Sequence, residues 1–515
     1  MNCTHVRVFK PVRISLEKAG GRDVVRKKVG RTDFSSKFRS MEAAVTFQDV
    51  IMLPGLSEVE PGTVDIRTRV SKRNRLNVPF VSSPMDTVTE SEMAIAMARE
   101  GGLGVLHRNC SIDEEVEMAK KVKRAEALII RDVITLTPDQ TVADALDLMK
   151  SHNISGLPVV DGETLVGILT GRDVRFADHS LKVKSLMTKD VIVASEDIDL
   201  EKAKDILQEH RIEKLPIVDR NGKLKGLITF KDISLRGKYP NAVRDSDGQL
   251  LCAAAISPFD LERAKKLDKH VDILVTDVAH FHNRRVIEAT KKVLKEVRAD
   301  VIVGNIGTSE AVDDIMASLE DVAGFRVGVG SGSICITTEV TKAGAPTLYA
   351  VAKVADALQR HKADIPIIAD GGIRNPGDAA VALAAGASAV MAGNLFARCR
   401  EAPGTLMAIG GRYYKQYRGM GSPSAMAKRY SLDRYSAPSK DISEGVEGWV
   451  PYKGEVSTVV KEMASGLRAS MGYAGARNIE ELWEKAKFAM LTPAGGEETK
   501  PHDILLPSES AERTK

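Results

Sequence analysis

No apolar run in this 515-residue chain approaches the ~18 residues that a membrane-spanning helix needs, which excludes a helical membrane protein. The N-terminus also lacks the pattern of charge, apolar stretch and small-residue cleavage site that marks a secretory signal. Cysteine is scarce: Cys3, Cys110, Cys252, Cys335 and Cys399 are scattered, odd in number and free of any CxxC pair. That argues against a disulfide framework or a thiolate zinc site and for a reducing, cytoplasmic setting. Charge of one sign is missing as well, despite a formal net charge of +4. Residues 1–40 hold 11 Lys and Arg against 3 Asp and Glu, which leaves 63 of the 74 basic residues against 67 of the 70 acidic ones. The body is therefore slightly acidic, with no broad basic face for nucleic acid. The leader 1–40 is expected to be a basic, disordered extension.

What is present suffices for two to four domains. After Lys238 the chain turns to short apolar strands, each ending in a small or acidic residue and followed by a helix. They are Ala253–Ile256, Ile273–Asp277, Val301–Asn305, Phe325–Gly330, Pro366–Asp370 and Val390–Asn394. Two more strands come earlier, around Phe80 and at Gly104–His107, separated by a helix from about Glu90 to Glu100. Eight strand–helix units at this spacing predict an α/β fold, a (β/α)₈ TIM barrel built from 41–125 and 239–515. A doubly wound open sheet is the alternative, but no GxGxxG stands at the first strand.

Residues 129–235 differ in texture and repeat internally. Leu157-Pro158 recurs as Leu215-Pro216, and Thr170 with Asp173 recurs as Thr229 with Asp232. Each copy alternates short strands with a helix, Val142–His152 and Leu200–His210. Two such units usually pack as a pseudo-symmetric pair. The repeat resembles a CBS pair, or Bateman module, inserted in the barrel, with CBS 1 at 129–178 and CBS 2 at 187–237. The resemblance makes Thr170, Asp173, Thr229 and Asp232 candidates for the ribose of an adenine or guanine nucleotide. Their plain alternative is that each Asp caps the helix that follows.

The stretch Gly328-Val329-Gly330-Ser331-Gly332-Ser333-Ile334-Cys335-Ile336-Thr337 carries the most chemistry. A buried strand, Gly324–Val327, feeds a Gly/Ser loop of the kind that holds phosphate on backbone N–H groups. A thiol at its end reads as a nucleophile beside a bound nucleotide. A lone cysteine is more often a small core residue, but the glycines and hydroxyls around Cys335 do not suit a core. Asp370-Gly371-Gly372 leaves a carboxylate at a strand tip for two ribose hydroxyls, and Gly393-Asn394 offers further N–H donors. With Ser333 these ends form a site for a 5′-phosphate. The aperiodic stretch 429–443 reads as a functional loop, a flap of about 422–444.

From Thr46 to Asp503 the chain resembles inosine-5′-monophosphate dehydrogenase, of the IMP dehydrogenase/GMP reductase family. The carrying motifs are Ser83-Pro84-Met85-Asp86, Gly101–Asn109, the CBS pair, Gly328–Thr337, Asp370–Ile373, Tyr417–Ser422, Glu444–Gly448 and Met471–Ala476. The resemblance implies oxidation of IMP to XMP with NAD⁺ through a thioimidate on Cys335. Hydrolysis by water would follow, activated by Arg434 on the flap with Tyr435 and Thr337 assisting. It places IMP on Ser83, Met85, Ser333, Asp370, Gly371, Gly372, Gly393, Asn394, Tyr417, Gly419, Met420, Gly421 and Glu444. Nicotinamide and its ribose would meet Asp277, Asn305, Gly328 and Gly330. A potassium ion would sit on carbonyls of Gly330, Gly332 and Cys335, completed by Glu498, Thr499 and Lys500 of a neighbouring subunit in a homotetramer. Val278, in Asp-Val-Ala, matches GMP reductase better, so reduction of GMP with NADPH stays open. So does a non-catalytic, nucleotide-sensing regulator.

Overall fold

The computed structural model describes residues 35–501, apart from 127–128, 132, 153, 429 and 431–442. Residues 1–43 form one unit, whose described part includes a short helix, Ser36–Arg39. Residues 44–515 form the other. Among the described residues no helix is long and apolar enough to cross a membrane.

The second unit is organised by eight parallel strands closed into a barrel. In chain order they are β1 (Phe80–Ser82), β2 (Leu103–Leu106), β3 (Ala253–Ile256), β4 (Ile273–Thr276), β5 (Asp300–Ile306), β6 (Gly324–Val327), β7 (Ile367–Asp370) and β8 (Ala389–Ala392). The last strand pairs back onto the first, Val390 opposite Phe80 and Ala392 opposite Ser82. Both faces of each strand are buried, so the strands read as continuous apolar runs. Alternation sorts their side chains. Val81, Ala253, Ala255, Ile273, Val275, Ile368 and Met391 fill the barrel interior. Phe80, Ala254, Ile256, Leu274, Val303 and Phe325 pack outward among the helices. The barrel expectation is met.

Two expected strands stop two or more residues early. Phe325–Gly330 ends at Val327 because Gly328 takes φ 134°, outside the extended region. Val390–Asn394 ends at Ala392 because Asn394 opens the short helix Asn394–Ala397. An antiparallel pair, Val50–Leu53 with Lys487–Met490, joins segments from opposite ends of the unit. A three-stranded antiparallel sheet (Leu406–Ile409, Arg412–Arg418, Glu447–Pro451) follows the barrel.

Between β2 and β3 the repeat forms two hairpins, Gly156–Asp161 with Thr164–Thr170 and Lys214–Val218 with Leu224–Thr229. Each hairpin has its own apolar cluster, one around Leu157 and Leu169, the other around Leu215 and Ile228. The helices Val142–Ser151 and Leu200–Glu209 are capped by Thr141 and Asp199 side chains. Thr170 and Asp173 form a reciprocal capping box, both Thr170 N and Oγ1 donating to Asp173 Oδ2 at 2.7 Å. The side chain of Asp232 lies outside the described residues.

Charge clasps the two junctions of this insertion to the barrel. Glu126, fully buried, follows the helix Ile112–Arg124 and accepts from Arg99 and Arg244, each at 2.6 Å. Lys123 reaches Asp245 at 2.8 Å and Asp272 at 2.5 Å. Arg244 and Asp245 come after the insertion, so the pairs hold its entry beside its exit. Removing the shared carboxylate strands two largely buried guanidinium groups. Glu126→Ala is expected to cost about 3–5 kcal/mol of unfolding free energy in denaturant titration; an unchanged midpoint would remove the clasp from the account of stability.

Candidate active site

The strand ends of the barrel meet in a cavity of ≈ 740 Å³, a size suited to a small-molecule ligand. Its floor is set by backbone that only glycine can supply at two points. A Cβ on Gly328 would sit 2.2 Å from the carbonyl oxygen of Asp370, and one on Gly371, at φ 96°, 2.7 Å from Ser331 Oγ. The loop after β6 therefore lies directly on the tip of β7. Thr347 secures the join: its hydroxyl is 2.6 Å from Ser331 Oγ and donates to the Asp370 carbonyl at 2.9 Å.

Cys335 faces this cavity. Its thiol donates to Thr337 Oγ1 at 3.2 Å, and the Thr337 hydroxyl donates to Glu444 Oε2 at 2.7 Å. Glu444 is buried, and backbone hydrogen bonds place it. Ile336 N donates to the Glu444 carbonyl (3.0 Å), Val446 N to Ile334 (3.1 Å), and Gly419 N to Val446 (2.9 Å). Segments 334–336, 444–446 and 419–421 thus lie side by side. A proton leaving the thiol has a path through a hydroxyl to a carboxylate. The other described cysteines lie elsewhere. Burial pushes the thiols of Cys110 and Cys399 up to about 12 and that of Cys252 higher still, and none lines the cavity.

The cavity is also lined by Ser83 and Met85, from the loop after β1, and by Tyr417. Tyr417 is buried with its hydroxyl 4.0 Å from Met85 Sδ, and desolvation raises its phenol, so it stays a neutral donor. Asn394 Nδ2 donates to Ser333 Oγ at 3.3 Å. Beneath, Asp86 accepts from Arg418 Nε (2.9 Å) and Nη2 (2.5 Å) and from Asn109 Nδ2 (2.8 Å). Asn109 also donates to the Ala425 carbonyl at 3.2 Å. One buried carboxylate therefore joins the loops after β1 and β2 to segments 418–425.

Every residue expected to hold substrate lines the cavity, as do Thr337, Asn305, Gly328, Gly330 and Gly332. Asp277 does not. It lies beneath the wall, its Oδ1 accepting from Arg326 Nη1 at 3.0 Å, because a buried arginine needs a buried counter-charge. Arg434 and Tyr435 lie outside the described residues. Glu498, Thr499 and Lys500 end the helix Pro493–Glu498 and its cap, away from the cavity of their own chain. Sequence reasoning missed Arg326 and the pairing of Glu444 with Thr337. Arg326 had a signal: a charged residue inside the buried strand Gly324–Val327 must find a carboxylate.

Among the described residues no three His, Cys, Asp or Glu gather to hold a metal ion. Carbonyls remain as donors. Among the described residues those of Gly330 and Gly332 each accept one hydrogen bond, from Thr338 Oγ1 (3.2 Å) and Cys335 N (3.0 Å). Each keeps a second lone pair, which fits a hard monovalent cation.

A closed parallel barrel with a thiol facing a cavity at its strand ends is the architecture of a (β/α)₈ enzyme. Residues 44–502 match the family described as IMP dehydrogenase / GMP reductase domain, and the chain belongs to that family. It is 56% identical over 464 residues to inosine-5′-monophosphate dehydrogenase of Korarchaeum cryptofilum, covering 90% of this chain and 97% of that one. Against the enzyme of the same name from Methanocaldococcus jannaschii it is 51% identical over 493 residues, covering 93% and 98%. A solved structure of a cysteine-to-alanine variant of GMP reductase from Trypanosoma brucei, in complex with guanosine 5′-monophosphate, superposes with a TM-score of 0.82. Its identity is 37%, over 91% of this chain and 100% of that one.

The network at Asp86 carries a pH signature. Burial raises its carboxyl, but hydrogen bonds from Arg418 and Asn109 outweigh it and leave the pKa below the ordinary value. A lowered folded-state pKa gives stability above the unfolded pKa that is lost as pH falls through the folded one. Asp86→Asn is therefore expected to lower the melting temperature at neutral pH, with the gap to wild type closing below about pH 4. A gap independent of pH would mean the charge is immaterial there.

Proposed function

We propose that this enzyme oxidises IMP to XMP with NAD⁺ in guanine nucleotide biosynthesis. The observation that carries the reading is the Cys335–Thr337–Glu444 chain opening on the cavity, in a chain 56% identical to a named IMP dehydrogenase. IMP lies with its ribose on Asp370 and its phosphate against the N–H groups around Ser333, Gly372 and Gly393. Cys335 loses its proton towards Thr337 and Glu444 and attacks C2 of the hypoxanthine, forming the C–S bond. NAD⁺, when bound, supplies the acceptor for the hydride that leaves C2. Water then adds to C2 of the thioimidate, the C–S bond breaks with its electron pair returning to sulfur, and XMP departs. Arg434, with Tyr435, activates that water. A guanidinium is far too weak a base in water, so this role needs a desolvated position over the cavity. Asn305, Gly328 and Gly330 offer the nicotinamide its wall, and a reducing cytoplasm keeps Cys335 a thiol.

Three finer readings belong here. Potassium sits on the carbonyls of Gly330, Gly332 and Cys335, with Glu498–Lys500 of a neighbouring subunit completing a site in a homotetramer. Residues 129–178 and 187–237 form the CBS pair, taking a purine nucleotide near Thr170, Asp173, Thr229 and Asp232. The barrel is made of 41–125 and 239–515.

The second reading is GMP reduction with NADPH, favoured by Val278 and by likeness to the Trypanosoma brucei reductase. Absorbance of the reduced nicotinamide decides between them: a rise with IMP and NAD⁺ supports the dehydrogenase, and a fall with GMP and NADPH replaces it. Cys335→Ala is expected to abolish turnover while IMP still binds; near-wild-type activity would remove the thiol from the mechanism. Arg434→Ala is expected to spare the first burst of NADH and slow steady turnover by about 100-fold or more. Equal slowing of both phases would deny Arg434 the hydrolytic role.

A further inference from the structure

A ladder of alternating buried charge runs inward from the substrate side of the cavity. Asp370 Oδ2 accepts from Arg326 Nε and from Asn305 Nδ2, both at 2.8 Å. Arg326 turns its other edge to Asp277, Nη1 to Oδ1 at 3.0 Å. Arg108 lies behind: its Nη2 donates to the Asp277 carbonyl at 3.0 Å, and its Nε is 3.7 Å from Asp277 Oδ2. The side chains of Arg326, Asp277 and Arg108 are 4%, 1% and 3% exposed, and that of Asp370 14%.

Two donors on one oxygen leave the carboxylate little freedom to rotate. Oδ2 is held in the wall, and Oδ1, which accepts no hydrogen bond among the described residues, is the oxygen left for a ligand. A planar guanidinium can hold two carboxylates on separate edges at fixed angles, which an ammonium cannot do. We propose that Arg326 is a positioning residue that aims Asp370 at the ribose hydroxyls of the nucleotide, and that Asp277 acts on nucleotide binding through Arg326. This rests on the substrate reading above. It gives Asp277 a role on the substrate side, although the sequence assigns it to the dinucleotide.

The test is equilibrium binding to the full-length enzyme without dinucleotide, by calorimetry, of IMP and of its 2′,3′-dideoxy analogue. Wild type is expected to prefer IMP by about 10- to 100-fold, the worth of hydrogen bonds to a charged carboxylate. Arg326→Lys keeps the charge but not the two-edged bridge; it should weaken IMP about 10-fold or more and the analogue by no more than about 3-fold. Asp277→Asn, which keeps the volume, should erode the same preference, and it carries the test alone if Arg326→Lys does not fold. Equal weakening of both ligands, or a preference intact in the variants, overturns the positioning role and leaves the substrate reading standing. A wild type that binds IMP no better than the analogue, or binds neither, overturns the assignment of Asp370 to the ribose and the proposal with it.

Discussion

Closure of the parallel sheet is the constraint on which everything else depends. A barrel strand is buried on both faces, so it can carry chemistry only where its ladder ends. The eight strands are short, and the polar groups collect at or just past their ends: Ser83 after β1, Asn305 near the end of β5, Gly328 after β6, Asp370 at the tip of β7, Gly393 after β8. One cation lies deeper within a strand. Arg326 sits inside β6, and its charge is tolerable there because Asp277 and Asp370 stand on either side.

Most of the candidate site is built from backbone rather than from reactive side chains. The loops carrying Cys335 and Glu444 are locked by main-chain hydrogen bonds, and the glycine positions let the β6 loop rest on β7. That arrangement spends few side chains on support and leaves hydroxyls, carbonyls and N–H groups facing the ligand. Precise placement is what positional catalysis requires, since a nucleophile gains most when its approach is set before the substrate arrives. The insertion between β2 and β3 leaves this arrangement alone because its two junctions are tied together at Glu126 and Lys123, away from the strand tips.

Much of this was legible beforehand. The strand rhythm after Lys238 predicts the barrel, and the glycine–serine loop predicts the thiol's place on the cavity. The errors are local. Strand ends at Gly330 and Asn394 were set too late, since periodicity sees apolar character but not a positive φ or a new helix. The resemblance sets Asp277 against the nicotinamide ribose, but its carboxylate lies beneath the cavity wall on Arg326. A strand end has two sides, and only packing decides which one faces the ligand.

By itself the sequence determined what depends on neighbours along the chain: strands by apolar runs, turns by glycine, caps by Ser, Thr and Asp, and a thiol among small polar residues. Tertiary structure alone decided which distant groups meet. Thr337 and Glu444 are 107 positions apart, Arg326 and Asp277 are 49, and Arg326 and Asp370 are 44. No local pattern encodes those pairings. They arise because closing the barrel brings every strand end to one face, where a buried charge must find its counter-charge and a buried hydroxyl its acceptor.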